Sequence, residues 1–109
     1  MTPSTFDTIP ADLLHKPSGG ASRCDLSGLP GSAQQIIQRE SGGDPTAKNP
    51  NSTAFGLGQL IVANRKALMG SNYASTDCGD QIDAFKKYTL GRYGSFDKAL
   101  SFHKRNGWY

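Results

Sequence analysis

The sequence predicts a small, mainly α-helical domain whose helices are separated by long loops. Several stretches place apolar residues three and four positions apart, which is the spacing of one helical face. No stretch has the strict alternation of a half-buried strand, and no repeat unit recurs along the chain. Glycine accounts for 13 of the 109 residues and clusters with proline, serine and asparagine between the apolar stretches. These features predict a compact helical core with irregular connections.

The first part of the chain differs in composition from the rest and sets the expected domain boundary. Residues 1–31 are rich in proline, glycine, serine and threonine, which predicts a strap over the domain or a linker from a larger protein. Within this segment, residues 6–14 form a candidate short helix that the prolines and glycines at 17–20 would end. Residues 32–109 are expected to form the folded domain.

The strongest helical pattern is predicted to run from about Ser32 to Glu40, with Ser32 as its N-cap. Its buried face follows the spacing i, i+3, i+4, i+7 and consists of Ala33, Ile36, Ile37 and Glu40. Two glycines then end the helix. Glu40 is therefore expected at the edge of the core, where loss of hydration favours the protonated form that a general acid requires. The structural alternative is a surface glutamate paired with Arg39 or Lys48.

Three further helices are expected after a loop at 43–53 and a glycine-rich turn at 54–60. Their approximate bounds are 60–69, 79–93 and 96–105. Asp77 or Thr76 would cap the second of these helices, and Ser95 would cap the third. Gly91 is a candidate end point of the second helix, because glycine inside a helix costs about 1 kcal/mol relative to alanine, and Gly94 is expected to end it in any case.

The charge balance and hydropathy exclude some classes of partner. A net charge of +3 and an isoelectric point near 9.0 favour contact with an anionic polymer without selecting one. The basic residues are scattered rather than aligned in a stripe, so we expect no nucleic-acid binding. No apolar run reaches the length of a membrane span, and residues 1–7 lack the basic and apolar segments of a signal peptide. We therefore expect no membrane insertion and see no export signal in the chain.

The two cysteines, Cys24 and Cys78, leave two interpretations open. One disulfide would tie the first segment to the domain, and the alternative is a pair of buried thiols. A zinc site that combined both cysteines with His15 or His103 would lack a closely spaced ligand pair. We therefore expect no metal and no cofactor.

No motif marks a second catalytic carboxylate. Hydrolysis by two carboxylates would need a partner about 5–5.5 Å from Glu40 for retention, or about 6.5–9.5 Å for inversion. Asp44 is close to Glu40 in sequence, although its position before a proline is typical of a turn. The other options are Asp77, Asp80 and Asp83.

Residues suited to contact a sugar occur in two places. Gln59 lies in a glycine-rich turn, where the backbone can approach a ligand closely, and its amide both donates and accepts hydrogen bonds. The turn lacks the lysine of a phosphate-binding loop and the spacing of a dinucleotide site. Aromatic residues and a histidine late in the chain could line a carbohydrate groove: Phe102, His103, Trp108 and Tyr109. Core packing is the alternative for the rings, and a structural role is the alternative for the histidine.

Two motifs, in this order, resemble the soluble lytic transglycosylase domain, which has a lysozyme-like fold. They are IIQRESGG at 36–43, with a Glu-Ser pair at the helix end, and AFGLGQL at 54–60, which is similar to the Gly-Leu-Met-Gln motif of that family. A loop rich in proline and asparagine separates them. The resemblance covers about residues 32–109 and implies a small lysozyme-like helical domain with long loops.

The resemblance implies a peptidoglycan lytic transglycosylase with Glu40 as its single general acid/base. Glu40 would protonate the oxygen between N-acetylmuramic acid and N-acetylglucosamine. As a base it would then activate the muramic acid 6-hydroxyl, which closes a 1,6-anhydro ring. The acetamido group of the substrate would stabilise the intermediate, so neither water nor a second carboxylate is implied. Ser41 would hold Glu40 or the substrate, and Gln59 would contact the sugar.

The sequence departs from the family pattern at two places. Gly58 stands where the family has methionine, which is expected to open space in the groove or to loosen the turn. Ser101, Phe102 and His103 stand where the family has Ala-Tyr-Asn, so Phe102 lacks the hydroxyl that the family places near the acid. Phe102 and His103 are retained as candidates for substrate binding.

The resemblance also implies a partner and a location. The partner would be the glycan strands of peptidoglycan in the bacterial cell wall or periplasm, cut by a phage virion or tail protein or by a secreted bacterial enzyme. The chain would be monomeric and could belong to a larger virion or wall-lytic protein. Two alternatives stay open, namely a lysozyme-type muramidase that hydrolyses the same bond and a non-catalytic wall-binding or virion structural module.

Overall fold

The computed structural model describes residues 23–109, which form four α-helices joined by loops. The helices are α1 (Gly31–Glu40), α2 (Val62–Met69), α3 (Cys78–Tyr93) and α4 (Phe96–Asn106), with a short 3-10 helix at Gly70–Asn72 after α2. Extended pairing between residues 23 and 109 is confined to isolated bridges that Phe55 makes with Lys48 and Leu60. The prediction of a small, mainly α domain is therefore confirmed.

The helix caps follow the local sequence in two of three predicted cases. Asp77 caps α3, where its side chain accepts a hydrogen bond from the Asp80 amide at 2.9 Å. Ser95 caps α4 in the same way. The prediction that Ser32 caps α1 is wrong, because the helix begins at Gly31. The carbonyl of Pro30 accepts the first helical hydrogen bond instead, and no side chain caps this end.

Helix α3 continues through Gly91, so the end point considered there is wrong. The helix ends at Gly94, whose φ of 83° lies in the left-handed region that glycine adopts without strain. The Gly94 amide donates back to the Leu90 carbonyl and closes the last turn. A helix of 16 residues tolerates the cost of one internal glycine, which is about 1 kcal/mol.

The core lies where α1 and α3 both pack against α4, with α2 packed on the outer side of α3. Helix α1 buries the face that its spacing predicts, and α2 buries no residue fully. The largest fully buried apolar side chains are Tyr109, Phe85, Ile36, Ile37 and Leu57. Within the described part of the chain, no helix is long and apolar enough to cross a membrane.

The cysteines form a disulfide, which decides between the two interpretations that the sequence left open. Cys24 precedes α1 and Cys78 begins α3, and the bond joins positions 54 residues apart. Leu26 and Leu29 near Cys24 are buried in the core. The candidate helix at 6–14 and most of the expected strap at 1–31 lie outside the described residues, and the domain boundary after residue 31 stays a prediction.

One buried side chain, Gln81 of α3, holds the loop that follows α1. Its amide oxygen accepts a hydrogen bond from the Leu57 amide at 2.9 Å, and its amide nitrogen donates to the Pro45 carbonyl at 2.8 Å. Gly56 has a φ of 83°, and a Cβ there would lie 2.6 Å from the Gln81 amide oxygen. Only glycine therefore fits the closest approach between this loop and α3.

Candidate active site

Glu40 and His103 meet in the interior, where α1 packs against α4. Glu40 occupies the last turn of α1, and its Oε2 lies 2.5 Å from Nε2 of His103. Both side chains are fully buried. Glu40 is thus placed deeper than the edge of the core, where its helical face alone predicted it. The pair joins residues 63 positions apart.

The short distance between these two atoms requires a proton between them. Three arrangements supply it: a carboxylic acid that donates to a neutral imidazole, an imidazolium that donates to a carboxylate, or a neutral imidazole whose Nε2–H donates to a carboxylate. The first two avoid a lone charge in the interior, which would be costly. The pair can therefore store a proton next to a carboxyl group, and this is the state from which general acid catalysis begins.

Two tyrosines stand close to the pair. The ring of Tyr109 lies 6.0 Å from that of His103, and its hydroxyl donates to the Gly58 carbonyl at 2.8 Å. Burial raises the pKa of Tyr109 well above its usual value of 10.0, and the negative charge of Glu40 raises it further. Burial likewise raises the pKa of Tyr88 to about 12, partly offset by the positive charge of Arg92. Both phenols therefore stay protonated and neutral over the range in which an enzyme works.

The expected space at Gly58 is filled by Tyr109, so the interpretation of an open groove or a loose turn is wrong. A Cβ at position 58 would lie 2.7 Å from the Tyr109 hydroxyl and 3.1 Å from the ring of Phe85. The turn is buried and is hydrogen-bonded to Tyr109. A glycine at 58 thus lets a tyrosine hydroxyl reach the backbone of the turn.

Ser41 joins the end of α1 to the turn at 54–60. Its hydroxyl lies 2.8 Å from the Leu57 carbonyl and 3.2 Å from the Ile37 carbonyl, and it accepts a hydrogen bond from the Gly43 amide. The side chain is fully buried. In this arrangement Ser41 fixes the backbone that follows Glu40.

Gln59 is buried with its backbone in a left-handed conformation. Its φ is 52°, and it is the one residue other than glycine between 23 and 109 with a positive φ. The amide nitrogen donates to the carbonyls of Ala47 and Gly56, at 2.9 and 2.8 Å. The buried amide oxygen has no hydrogen-bond partner among the described residues. Left-handed strain together with an unsatisfied acceptor is typical of a residue retained for function.

Phe102 faces a different surface from its neighbour His103. Its ring packs edge-on against Trp108 at 4.9 Å and against Tyr93 at 5.3 Å, and it is half-buried. The structure therefore brings Glu40 and His103 together, with Ser41 next in the chain, and places Phe102 elsewhere.

The other candidate acids are engaged in local structure. Oδ1 of Asp44 accepts hydrogen bonds from the Thr46 amide and hydroxyl, as in a turn. Asp77 caps α3, Asp80 accepts from the Ser75 hydroxyl, and Asp83 pairs with Lys87 at 3.0 Å. Among residues 23–109, no three side chains of the metal-binding types form a cluster.

Two residues near the site were not indicated by the sequence. Tyr88 lies on α3, where the negative charge of Glu40 contributes to its raised pKa, but nothing in the local sequence relates it to Glu40. Nothing in the sequence around Gln81 indicates its structural role, because its hydrogen-bond partners are backbone groups of a loop that is distant in sequence. Only knowledge of how the loop at 43–60 packs against α3 could have identified it.

Comparison with known proteins gives one distant similarity. The chain is 32% identical over 74 residues to the probable transglycosylase IsaA of Staphylococcus haemolyticus (strain JCSC1435), an alignment that covers 68% of this chain. It spans only 27% of that protein. No protein-family model matches the chain, and no solved structure matches it significantly. The similarity supports a transglycosylase-like domain.

Proposed function

We propose that this chain is a peptidoglycan lytic transglycosylase domain in which Glu40 is the single general acid/base. The observation that carries the proposal is the buried contact between Glu40 and His103, in which an imidazole nitrogen lies within hydrogen-bond distance of the carboxyl group that would act as the acid. The similarity to a probable transglycosylase supports the same reaction class. The motifs around Glu40 and Gln59 add the resemblance to the soluble lytic transglycosylase family.

In the proposed reaction, Glu40 donates its proton to the oxygen between N-acetylmuramic acid and N-acetylglucosamine. The bond from that oxygen to C1 of the muramic acid breaks, and the departing N-acetylglucosamine keeps the proton. The acetamido oxygen of the muramic acid stabilises the positive charge that develops at C1. Glu40, now a carboxylate, removes the proton of the 6-hydroxyl, whose oxygen attacks C1 and closes the 1,6-anhydro ring. Glu40 is protonated again, and no water has been consumed.

The neighbouring residues have separate roles in this proposal. His103 holds the Glu40 carboxyl in place and shares its proton before the substrate arrives. The amide oxygen of Gln59 accepts a hydrogen bond from an acetamido N–H, which would satisfy an acceptor that has no partner among the described residues. Because Glu40 and Gln59 are both buried, the glycan must displace the groups that cover them when it binds.

The proposed place of action is the bacterial cell wall, reached by a secreted or virion-borne protein that acts as a monomer. The disulfide between Cys24 and Cys78 supports this location, because such bonds persist in oxidising compartments and are rare in the cytosol.

The test is a digest of purified peptidoglycan with the wild type and with Glu40→Gln, analysed by mass spectrometry. We expect muropeptides with 1,6-anhydro ends from the wild type and a loss of about 10²- to 10⁴-fold in rate for the variant. Asp83→Asn is the matched control, because it makes the same acid-to-amide change on an exposed side chain of α3. Products without the anhydro mass would indicate a muramidase. A Glu40→Gln variant as active as the control would exclude Glu40 as the acid.

A further inference from the structure

A groove with a basic rim and an aromatic floor lies between the end of α3 and the outer face of α4. Its volume is about 490 Å³. The lining includes three cations, Arg92, Lys98 and Arg105, against one acid, Asp97. The half-buried rings of Tyr93 and Phe102 form the floor. Glu40, His103 and Gln59 do not line this groove.

The cations of the groove are available to a ligand. Arg92, Lys98 and Arg105 are exposed, and no carboxylate among residues 23–109 forms an ion pair with any of them. A cluster of three exposed cations against one acid concentrates a large part of the net charge of +3 in one place. Such a cluster attracts anionic groups, above all where the surface is concave.

Arg92 is already held in place by the aromatic residues around it. Its guanidinium lies 5.5 Å from the ring centroid of Tyr93 and 5.7 Å from that of Trp108, and its Nε donates to the Tyr93 hydroxyl at 3.0 Å. An arginine fixed in this way loses little side-chain entropy when it binds a carboxylate. The side of the groove formed by α3 is therefore preorganised for an anion.

The aromatic floor narrows the class of ligand. A purely anionic polymer needs only the cations. The half-buried ring of Phe102, whose ring neighbours Tyr93 and Trp108 are tilted or edge-on to it, suits a ligand that also has a flat, weakly polar face, as a sugar ring has. Arginine binds carboxylates through two parallel hydrogen bonds. A sugar that bears a carboxylate-containing substituent satisfies both halves of the groove.

We propose that this groove binds a peptide-bearing muramic acid unit, with the sugar face on the Phe102 ring and a carboxylate on Arg92 and Arg105. The identification of the sugar rests on the proposed function, since such units are spaced along a peptidoglycan strand. The groove would hold the strand at a second point, away from the bond that is cut.

The test is a titration of the wild-type chain followed by amide NMR, with N-acetylmuramyl dipeptide as the probe. This probe has one sugar and no bond for the enzyme to cut, so binding is read separately from cleavage. We expect shifts at Lys98, Ser101 and Arg105, and weaker binding at high salt. N,N′-diacetylchitobiose, a sugar without a carboxylate, and inorganic phosphate, an anion without a sugar, should each bind at least tenfold more weakly.

Two double variants of equal charge decide whether the groove carries the binding. Lys98→Gln with Arg105→Gln should weaken the muramyl dipeptide at least tenfold. The control variant combines Lys66→Gln and Lys86→Gln, which lie on α2 and α3 away from the groove. It should bind the muramyl dipeptide as tightly as the wild type. The proposal is overturned by shifts confined to the surroundings of Glu40, by phosphate binding as tightly as the dipeptide, or by equal losses in both variants. If the protein cleaves peptidoglycan but does not bind the dipeptide in the groove, the proposed role of the groove is rejected and the proposed function stands. If it binds the dipeptide there but does not cleave peptidoglycan, the proposed function is rejected and the groove remains a binding site.

Discussion

The hydroxyl of Tyr109 donates a hydrogen bond to the carbonyl oxygen of Gly58 across 51 positions of the chain, at 2.8 Å. The contact is possible because residue 58 has no side chain, since a Cβ there would lie 2.7 Å from that hydroxyl. The two residues therefore depend on each other. A side chain at 58 would clash with the Tyr109 hydroxyl, and the Gly58 carbonyl takes its hydrogen bond from that hydroxyl.

This dependence predicts a coupled effect on stability. Gly58→Ala overpacks the interior and should cost about 1–3 kcal/mol of the free energy of unfolding. Tyr109→Phe leaves a buried carbonyl without its donor and should cost about 1–3 kcal/mol. In the double variant the missing hydroxyl makes room for the added methyl group, so the total loss should be smaller than the sum. Urea denaturation of the four proteins measures the difference. Losses that add within about 0.5 kcal/mol would show that the residues are independent.

The contact between His103 and Glu40 predicts a specific loss of activity when the imidazole is removed. Asparagine at 103 can still donate to the carboxyl oxygen, but it cannot accept and release a proton near neutral pH. We expect His103→Asn to lower the rate of peptidoglycan cleavage by about 10²-fold and to change the shape of the pH–rate profile. Asn106→Ala, an exposed change on the same helix, should leave both unaltered. An unchanged pH profile with a lower rate would indicate that His103 only supports the fold.

The disulfide predicts a large difference between the oxidised and reduced protein. Cys24 and Cys78 close a loop with a sequence separation of 54, which corresponds to about 4 kcal/mol of stabilisation through the unfolded chain. The variant Cys24→Ser with Cys78→Ser should lose about this amount in chemical denaturation, and a reducing agent should lower the melting temperature of the wild type only. If the reducing agent did not change the melting temperature of the wild type, the disulfide would not stabilise the fold as predicted.

The tyrosines predict a loss of stability in alkali. Tyr109 and Tyr88 have raised pKa values in the folded chain, the latter about 12, because burial disfavours the phenolate. The ordinary pKa of both is 10.0, so their contribution is complete below pH 10. The contribution of Tyr88 is lost as the pH rises toward 12, and that of Tyr109 is lost over a window that also begins near pH 10. We expect the free energy of unfolding of the wild type to fall as the pH rises above 10. The free energy of unfolding of the Tyr109→Phe variant should fall less steeply. Absorbance at 295 nm should show buried tyrosines ionising only as the protein unfolds.

The local features of the fold could be predicted from sequence, and the long-range ones could not. The caps Asp77 and Ser95 are set by side chains that bond to their own helix, and the buried face of α1 follows from spacing. The same spacing put Glu40 on an apolar face. It could not supply His103, because that partner depends on how α4 packs against α1.

Two further relationships had no local signal. The partners of Gln81 are backbone groups, which every residue has, so its sequence context does not indicate them. Gly58 departs from the family motif, but the sequence does not show why. The explanation is that the Tyr109 hydroxyl occupies the space that a side chain at 58 would need. The proposed assignment of Ser41 and Gln59 to substrate contact, with Phe102 and His103, stays a prediction.

Gln59 has two features that lower the stability of the fold. Its backbone adopts a left-handed conformation, which costs on the order of 1 kcal/mol for a residue other than glycine. Its buried amide oxygen has no hydrogen-bond partner between residues 23 and 109, and an unmet acceptor costs about 1–3 kcal/mol. A chain optimised for folding alone would have little reason to combine the two at one position. They coincide where a sugar contact is proposed, and a bound acetamido group would recover part of that lost stability as affinity.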